Sequence, residues 1–82
     1  MQELLHYILE GIVDHPEDIE IRGNESEFGF INLEVKVNPE DMGKVIGKRG
    51  QTIGAIRKLL RVKAIKLGKR FQLTLLDEQQ KD

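Results

Sequence analysis

The stretch Ile46-Gly47-Lys48-Arg49-Gly50-Gln51-Thr52-Ile53 decides how this chain is interpreted. Two glycines bracket two cations, with an isoleucine before the first glycine and another three residues after the second. Glycine can follow a tight turn of positive φ and, having no Cβ, lets a ligand approach the backbone closely. A helix that begins just after Gly50 would direct its free N–H groups toward the same spot. The stretch therefore predicts a site for the backbone of a polyanion, with Lys48 and Arg49 at its tip.

The charges of the chain are segregated along the sequence. Residues 1–41 carry two basic against eleven acidic residues, a net charge of −9, whereas residues 42–82 carry eleven basic against three acidic residues, a net charge of +8. This asymmetry favours binding of a nucleic acid or another anionic surface by the basic half. The alternative is that the two halves neutralise each other in the fold.

Length and composition restrict the class of protein. A chain of 82 residues forms one small domain with a modest core. The sequence has no cysteine, which excludes a disulfide framework and a thiolate metal site. It shows no signal-peptide pattern and no stretch near the roughly 20 apolar residues of a membrane span. We therefore expect a cytoplasmic protein in which residues 1–77 form the domain and residues 78–82 a polar tail.

The first half of the sequence predicts one helix and two strands. Apolar residues at positions 4, 5, 8, 9, 12 and 13 form one stripe of a helix of about three turns, ended by Asp14-His15-Pro16. Residues 19–22 alternate as a short strand, and residues 23–27 are typical of a turn. Residues 31–37 alternate as a one-sided strand. Phe28 and Phe30 have the opposite parity, which suggests a bulge or a second buried patch.

The second half predicts two helices and a last strand. Asn38-Pro39-Glu40-Asp41 is a helix start, because asparagine caps, proline suits the first position and acids favour the first turn. This short helix reaches about Ile46, and a longer one spans residues 51–67 and stops at Gly68. Residues 70–75 alternate as a strand. The predicted order is α-β-β-α-α-β, with the glycine loop between the last two helices.

The eight-residue stretch resembles the Ile-Gly-x-x-Gly-x-x-Ile signature of KH domains, which bind single-stranded nucleic acid and clamp about four nucleotides with their GxxG loop. All four signature positions are filled, by Ile46, Gly47, Gly50 and Ile53. The element order is that of the type II, prokaryotic arrangement of KH domains. The resemblance covers residues 1–77 and implies an α+β fold, a three-stranded sheet packed on one side by three helices.

Within KH proteins, the chain is similar to the small bacterial KhpA family in its size, its first five residues and the stretch at residues 39–48. That resemblance implies RNA binding, with RNA chaperoning or post-transcriptional regulation. It also implies a homodimer, a heterodimer with a larger KH-containing protein (KhpB, also called Jag or EloR), or both, and a role in cell elongation and wall synthesis. It implies no enzyme activity, no cofactor, no small-molecule substrate and no membrane partner. One departure is Gly54 inside the second helix, which costs about 1 kcal/mol relative to alanine.

The predicted RNA contacts lie in the loop and in the two helices that flank it. Lys48 and Arg49 are expected to contact phosphate, whereas Ile46 and Ile53 are expected mainly in the core, with edges under the bases. Few aromatic residues are available for stacking, so we expect modest affinity. The full set of predicted RNA-binding residues is Ile46, Gly47, Lys48, Arg49, Gly50, Ile53, Lys44, Arg57, Lys58 and Arg61.

The helix predicted at residues 51–67 carries more apolar residues than one buried stripe requires. Val62 and Ile65 point away from the face shared by residues 53, 56, 60, 64 and 67. Exposed apolar patches often mark an interface. A homodimer through Val62 and Ile65 is therefore a hypothesis.

Three other functions compete with RNA binding. Residues 43–48 faintly resemble the phosphate loop of a nucleotide-binding enzyme, but the pattern is one residue short and has Arg49 where a magnesium-binding hydroxyl belongs. A protein-interaction subunit with little RNA binding of its own is the main alternative. Duplex DNA binding by a helix-turn-helix is disfavoured, because that motif reads bases with its second helix. His6 and His15 lie nine residues apart with no third ligand, so we expect surface histidines and no metal site.

Overall fold

A computed structural model describes residues 1–76 of the protein. It contains helix α1 (Gln2–Glu10), strands β1 (Glu20–Glu25) and β2 (Phe30–Lys36), the short helix α2 (Met42–Ile46), the long helix α3 (Gln51–Leu67) and strand β3 (Arg70–Leu75). This is the predicted order, and it confirms an α+β fold consistent with a type II KH domain. The predicted domain end at residue 77 and the tail at 78–82 lie outside the described residues.

The sheet is mixed and three-stranded, in the order β1-β2-β3. β1 pairs with β2 in antiparallel fashion, and β2 pairs with β3 in parallel, with Leu33 opposite Leu73. Parallel neighbours need a crossover connection, which α2, the glycine loop and α3 provide. The candidate site thus lies within the connection between the two parallel strands.

The core lies between one face of the sheet and the helices. Ile31, Leu33 and Val35 alternate along β2 on the buried face, while the residues between them point to the polar, exposed face. The helices cover the buried face with apolar residues that are at most 2% exposed, namely Leu5, Leu9, Val45, Ile56 and Leu60. The predicted alternation of β2 is confirmed, and the helices occupy one side of the sheet.

Two predicted boundaries in the first half were wrong. α1 ends at Glu10 instead of continuing to position 13, although Val13 remains buried in the turn that follows. β1 runs on through Gly23 to Glu25, in unbroken register with β2, where the sequence suggested a turn. A Cβ on Gly23 would lie 2.5 Å from Nε2 of Gln2 and 3.1 Å from Cδ2 of Leu33. This glycine therefore allows the start of α1 to approach the sheet.

The hairpin turn lies at residues 26–29, later than predicted. Phe28 belongs to this turn and is 91% exposed, while Phe30 begins β2 and is half-buried. The opposite parity of these two residues therefore reflects the position of the turn and not a bulge.

A buried carboxylate fastens the start of α2 to the turn that follows α1. Asp41 is 1% exposed, and its two oxygens accept the backbone N–H groups of Asp14 at 3.1 Å and His15 at 3.0 Å. The Asn38 side chain accepts the Glu40 N–H at 2.8 Å, as expected for a cap, and the helix opens with the 3₁₀ turn Pro39–Asp41. The segment that leads into the loop is thus anchored before the loop begins.

Candidate nucleic-acid interface

The loop between α2 and α3 is closed by backbone hydrogen bonds. The Gly47 N–H donates to the Gly43 carbonyl at 2.8 Å, and the Gly50 N–H donates to the Gly47 carbonyl at 3.1 Å. α3 then begins at Gln51, whose N–H donates to the Lys48 carbonyl, and its N-cap residue Gly50 has no side chain to bond the N–H groups that follow. Those following N–H groups and the positive end of the helix dipole remain available to an anion at this position.

The two glycines of the loop are needed for different reasons. Gly47 has φ 77° and ψ 170°, and a Cβ there would lie only 2.7 Å from the backbone nitrogen of Thr52. Gly50 has φ 73° and ψ 16°, but a Cβ there would meet nothing within 4 Å. The first glycine is required by both conformation and space, and the second by conformation alone.

Arg49 sits in a conformation that L residues rarely adopt. Its φ is 56° and its ψ 26°, and it is the one non-glycine residue of positive φ within residues 1–76. Such outliers cluster at functional sites. The loop holds Arg49 and Lys48 outward, and both are exposed.

The two cations at the tip have no partner among residues 1–76. Across the described part of the chain, neither Lys48 nor Arg49 takes part in an ion pair or a side-chain hydrogen bond. The two halves are linked elsewhere, because Lys69 pairs with Glu25 at 2.6 Å and Lys44 pairs with Asp14. These ion pairs between the acidic and the basic half of the chain do not involve Lys48 or Arg49. The positive charge of these two residues can therefore attract a ligand.

Lys44, a predicted RNA contact, is engaged in the fold. Its Nζ donates to the Asp14 carboxylate, and this bond raises the pKa of Lys44 and lowers the pKa of Asp14. Both side chains are largely exposed, so the pair contributes little stability. Among the predicted cations, Lys44 has the least freedom to reach a ligand.

The two isoleucines of the signature differ in burial. Ile53 is half-buried and packs against the core, as predicted. Ile46 is 38% exposed, more than a residue that lies mainly in the core. Its apolar edge therefore forms part of the surface beside the loop.

A groove of about 650 Å³ runs between α3 and the free edge of β3. Arg57 and Arg61 line it from the helix, and Nη2 of Arg57 lies 3.4 Å from the Leu73 carbonyl oxygen, to which it donates. Arg57 lies two helical turns beyond the loop. The groove therefore continues the surface of the loop along α3. Lys58 is exposed but does not line the groove. The structure thus brings Arg57 and Arg61 together and leaves Lys58 apart.

Sequence reasoning missed the other wall of this groove. Phe30, Lys69, Arg70 and Phe71 line it, although none of them lies near the loop in the sequence. The sequence does contain a signal for this wall, because the strand predicted at residues 70–75 follows α3 and must pass beside that helix. The groove is therefore more aromatic than the sequence around the loop indicated.

The outer face of α3 carries exposed apolar side chains. Val62 is 68% exposed and Ile65 is 70% exposed, and Leu59 joins them at 53%. The prediction that Val62 and Ile65 point away from the core is confirmed. Gly54 has nothing within 4 Å of its Cβ position, so no close contact within the described chain requires this glycine.

One cluster among the described residues has the geometry to hold a metal ion. The ligand atoms of His15, Glu17 and Asp18 lie within 4.8 Å of one another, and both acids are exposed. Asp18 already accepts a hydrogen bond from Asn38 at 2.9 Å, and His15 lies 3.2 Å from Glu40. Such acidic clusters are common without an ion, and this one lies on the anchored side of α2.

A family model described as KhpA/KhpB, KH domain matches residues 2–75. Among similar curated proteins, one from Caldanaerobacter subterraneus is 47% identical, over 93% of this chain and all of the relative. One from Clostridium perfringens is 46% identical over the same shares, and one from Leifsonia xyli is 43% identical over 90% of this chain and 93% of the relative. All three are named RNA-binding protein KhpA. No solved structure matches the chain, and none of the helices in residues 1–76 combines the length and apolarity of a membrane span.

Proposed function

The chain belongs to the KhpA/KhpB family of KH domains, and we propose that it is a cytoplasmic, non-catalytic protein that binds single-stranded RNA through the loop Gly47–Gly50. The observation that carries the proposal is the pair of exposed cations, Lys48 and Arg49, which have no partner among residues 1–76 and sit on a loop shaped by two glycines of positive φ. Nothing in the packing of the domain needs two cations there. A phosphate backbone supplies the missing negative charge.

In this proposal, the loop and the groove contact different parts of the RNA. At the loop, the uncapped N–H groups of α3 and the two cations engage phosphates, which fixes the strand but carries no sequence information. Along α3, Arg57 and Arg61 are placed to follow the backbone or stack on bases. The apolar edges of Ile46 and Ile53 form a floor under the nucleotides held at the loop. Such a site binds many sequences with modest affinity, which suits an RNA chaperone or post-transcriptional regulator.

The test is a titration of a fluorescent single-stranded RNA of mixed sequence over a salt series. We expect the wild type to bind with a clear salt dependence, and Lys48→Asp/Arg49→Asp to lose at least about 100-fold in affinity with a flatter salt slope. The matched control is Lys63→Asp/Lys66→Asp, which makes the same change of charge on α3 outside the groove. Circular dichroism establishes that all three proteins are folded.

Each outcome of this titration has a distinct meaning. Equal losses in both double variants would refute a dedicated loop and leave non-specific attraction by the basic half. Binding that neither variant changes would also refute the loop. Absence of binding by the folded wild type would favour the alternative, a protein-interaction subunit with little RNA binding of its own.

We further propose that the outer face of α3 forms a dimer interface. Leu59, Val62 and Ile65 present exposed apolar side chains on a helix whose other face is fully used by the core. The partner is a second copy of this chain or the KH domain of a KhpB/Jag-type protein. In equilibrium sedimentation, we expect a dimer for the wild type and a monomer for Val62→Glu. Gln51→Glu is the control, since it adds the same negative charge at the far end of α3, at an exposed position. An unchanged mass for Val62→Glu would refute the interface.

The cellular role that we propose rests on family resemblance alone. It places the protein with a KhpB/Jag-type partner in the control of cell elongation and wall synthesis. In a strain that carries Lys48→Asp/Arg49→Asp at the native locus, we expect altered cell length at unchanged protein level. Normal cell length in that strain would separate this role from RNA binding at the loop.

A further inference from the structure

The turn between β1 and β2 displays an aromatic ring to solvent. Phe28 is 91% exposed, although the strand that follows it begins with the half-buried Phe30 and the buried Ile31. The ring does not belong to the core cluster, which draws residues from α1, α2, α3, β2 and β3. Packing of the fold therefore does not account for a phenylalanine at this position.

Hydrogen bonds hold the backbone of the turn that carries Phe28. Oγ of Ser26 accepts the N–H groups of Phe28 and Phe30, each at 3.2 Å. The Ser26 N–H donates to the Phe30 carbonyl at 2.8 Å, and the Gly29 N–H donates to the Ser26 carbonyl at 3.1 Å. The backbone that carries the ring is therefore ordered before any ligand arrives, which lowers the entropic cost of using the ring.

The same turn adjoins the groove between α3 and β3. The Arg70 N–H donates to the Gly29 carbonyl at 3.1 Å, and Phe30, two residues after Phe28, lines the groove beside Arg70. Lys69 lies here too, held by Glu25 at 2.6 Å. α3 separates this end of the groove from the loop at Gly47–Gly50, and its 17 residues span about 25 Å.

We propose that Phe28 is a stacking platform for a base of the same single strand, beyond the nucleotides held at the loop. This inference rests on the proposed function, because it requires RNA in the groove. The face of an aromatic ring accepts any base, which suits a site that reads little sequence. Arg70, whose side chain is exposed, supplies positive charge for the phosphates that lead to the ring. Glu27, exposed beside Phe28, repels a phosphate there, so a base rather than the backbone contacts the ring.

Tryptophan fluorescence tests the contact directly. The sequence contains no tryptophan, so Phe28→Trp gives a protein with a single reporter that keeps an aromatic ring at the site. We expect RNA of about ten nucleotides to quench its emission, because stacking on a base quenches an indole, whereas RNA of about four nucleotides fills only the loop. The control is Tyr7→Trp on α1, a 75% exposed position that does not line the groove. We expect no quenching there with either RNA.

Loss of affinity provides the second measurement. Phe28→Ala is expected to weaken binding of the longer RNA by at least about fivefold and to leave binding of the shorter RNA unchanged. The side chain is exposed, so the variant should fold like the wild type, and circular dichroism checks this. Phe28→Tyr keeps the ring and is expected to retain wild-type affinity for both lengths.

The outcomes separate this inference from the proposed function. If the wild type binds the longer RNA but the indole of Phe28→Trp is not quenched and Phe28→Ala binds equally well, Phe28 is not part of the site and the inference fails alone. If the wild type binds neither RNA, the proposed function fails as well. If the emission of Phe28→Trp changes with protein concentration in the absence of RNA, the ring contacts a second copy of the chain, and the inference is overturned.

Discussion

The two ends of α2 are built in opposite ways. At its start, side chains hold the chain in place, since the buried Asp41 carboxylate binds two backbone N–H groups and Asn38 caps the turn. At its end, backbone conformation holds the loop, and the side chains of Lys48 and Arg49 are exposed and have no partner in the described part of the chain. At the start of α2, the charge of Asp41 stabilises the fold. At the end of α2, the charges of Lys48 and Arg49 remain available to a ligand. Changes at the first end should therefore alter stability, and changes to the cations of the second should alter affinity.

Gly47 should give the largest stability effect, although it belongs to the open end. Gly47→Ala adds a Cβ at φ 77°, 2.7 Å from the Thr52 nitrogen, and should cost about 3 kcal/mol of unfolding free energy. Gly50→Ala meets no neighbour and should cost about 1 kcal/mol. Urea denaturation followed by circular dichroism measures both values. Equal losses in the two variants would show that steric overlap with Thr52 does not shape the loop.

Asp41 should give the next largest effect. Asp41→Ala leaves the N–H groups of Asp14 and His15 without their acceptors and should lower the unfolding free energy by about 2 kcal/mol. Asp41→Asn keeps one acceptor oxygen and should lose less. Under conditions where Asp41→Asn is folded, its RNA affinity should equal that of the wild type. A selective loss of affinity in that folded variant would contradict the division between the two ends.

His15 should give the smallest effect, visible as a pH dependence of stability. Burial alone would lower its pKa, but the hydrogen bond to Glu40 and the charges of Asp41, Glu40 and Glu17 outweigh this and raise the pKa above 6.5. A raised pKa means that the contribution is complete below about pH 6.5 and is lost as the pH rises through the folded-state value.

Thermal unfolding between pH 6 and pH 8, read by circular dichroism, measures this contribution. The wild type should lose a little stability over this range, and His15→Gln should lose less. Glu40→Gln removes the first favourable partner and should flatten the dependence as well. If both variants keep the pH dependence of the wild type, that dependence arises from other titratable groups.

Much of the fold followed from the sequence because its local signals agree with one another. The alternation of residues 31–37, the cap at Asn38 and the stop at Gly68 each appear where they were predicted. The glycine signature marked the loop because its pattern is local, and the family comparison supports the same assignment. The role of the individual loop residues in binding stays a prediction.

The errors came from contacts between distant parts of the chain. Gly23 was interpreted as a turn residue, because nothing in the local sequence shows that Gln2 packs over it. Asp41 was assigned to the first turn of a helix, and its bonds to residues 26 and 27 positions away were invisible in the pattern. The groove was missed for the same reason, since it exists only after β3 returns beside α3.

The parallel pairing of β2 with β3 has a consequence for the order of folding. The β1–β2 hairpin joins residues close in sequence and can close within microseconds, whereas β3 must wait for the whole α2–loop–α3 segment to be synthesised and folded back. Because β3 follows α3 in the chain, a chain still emerging from the ribosome has the glycine loop before it has the groove or the sheet edge that forms the wall of the groove. The complete surface appears only after β3 has been synthesised, so a copy without β3 lacks part of the proposed RNA surface.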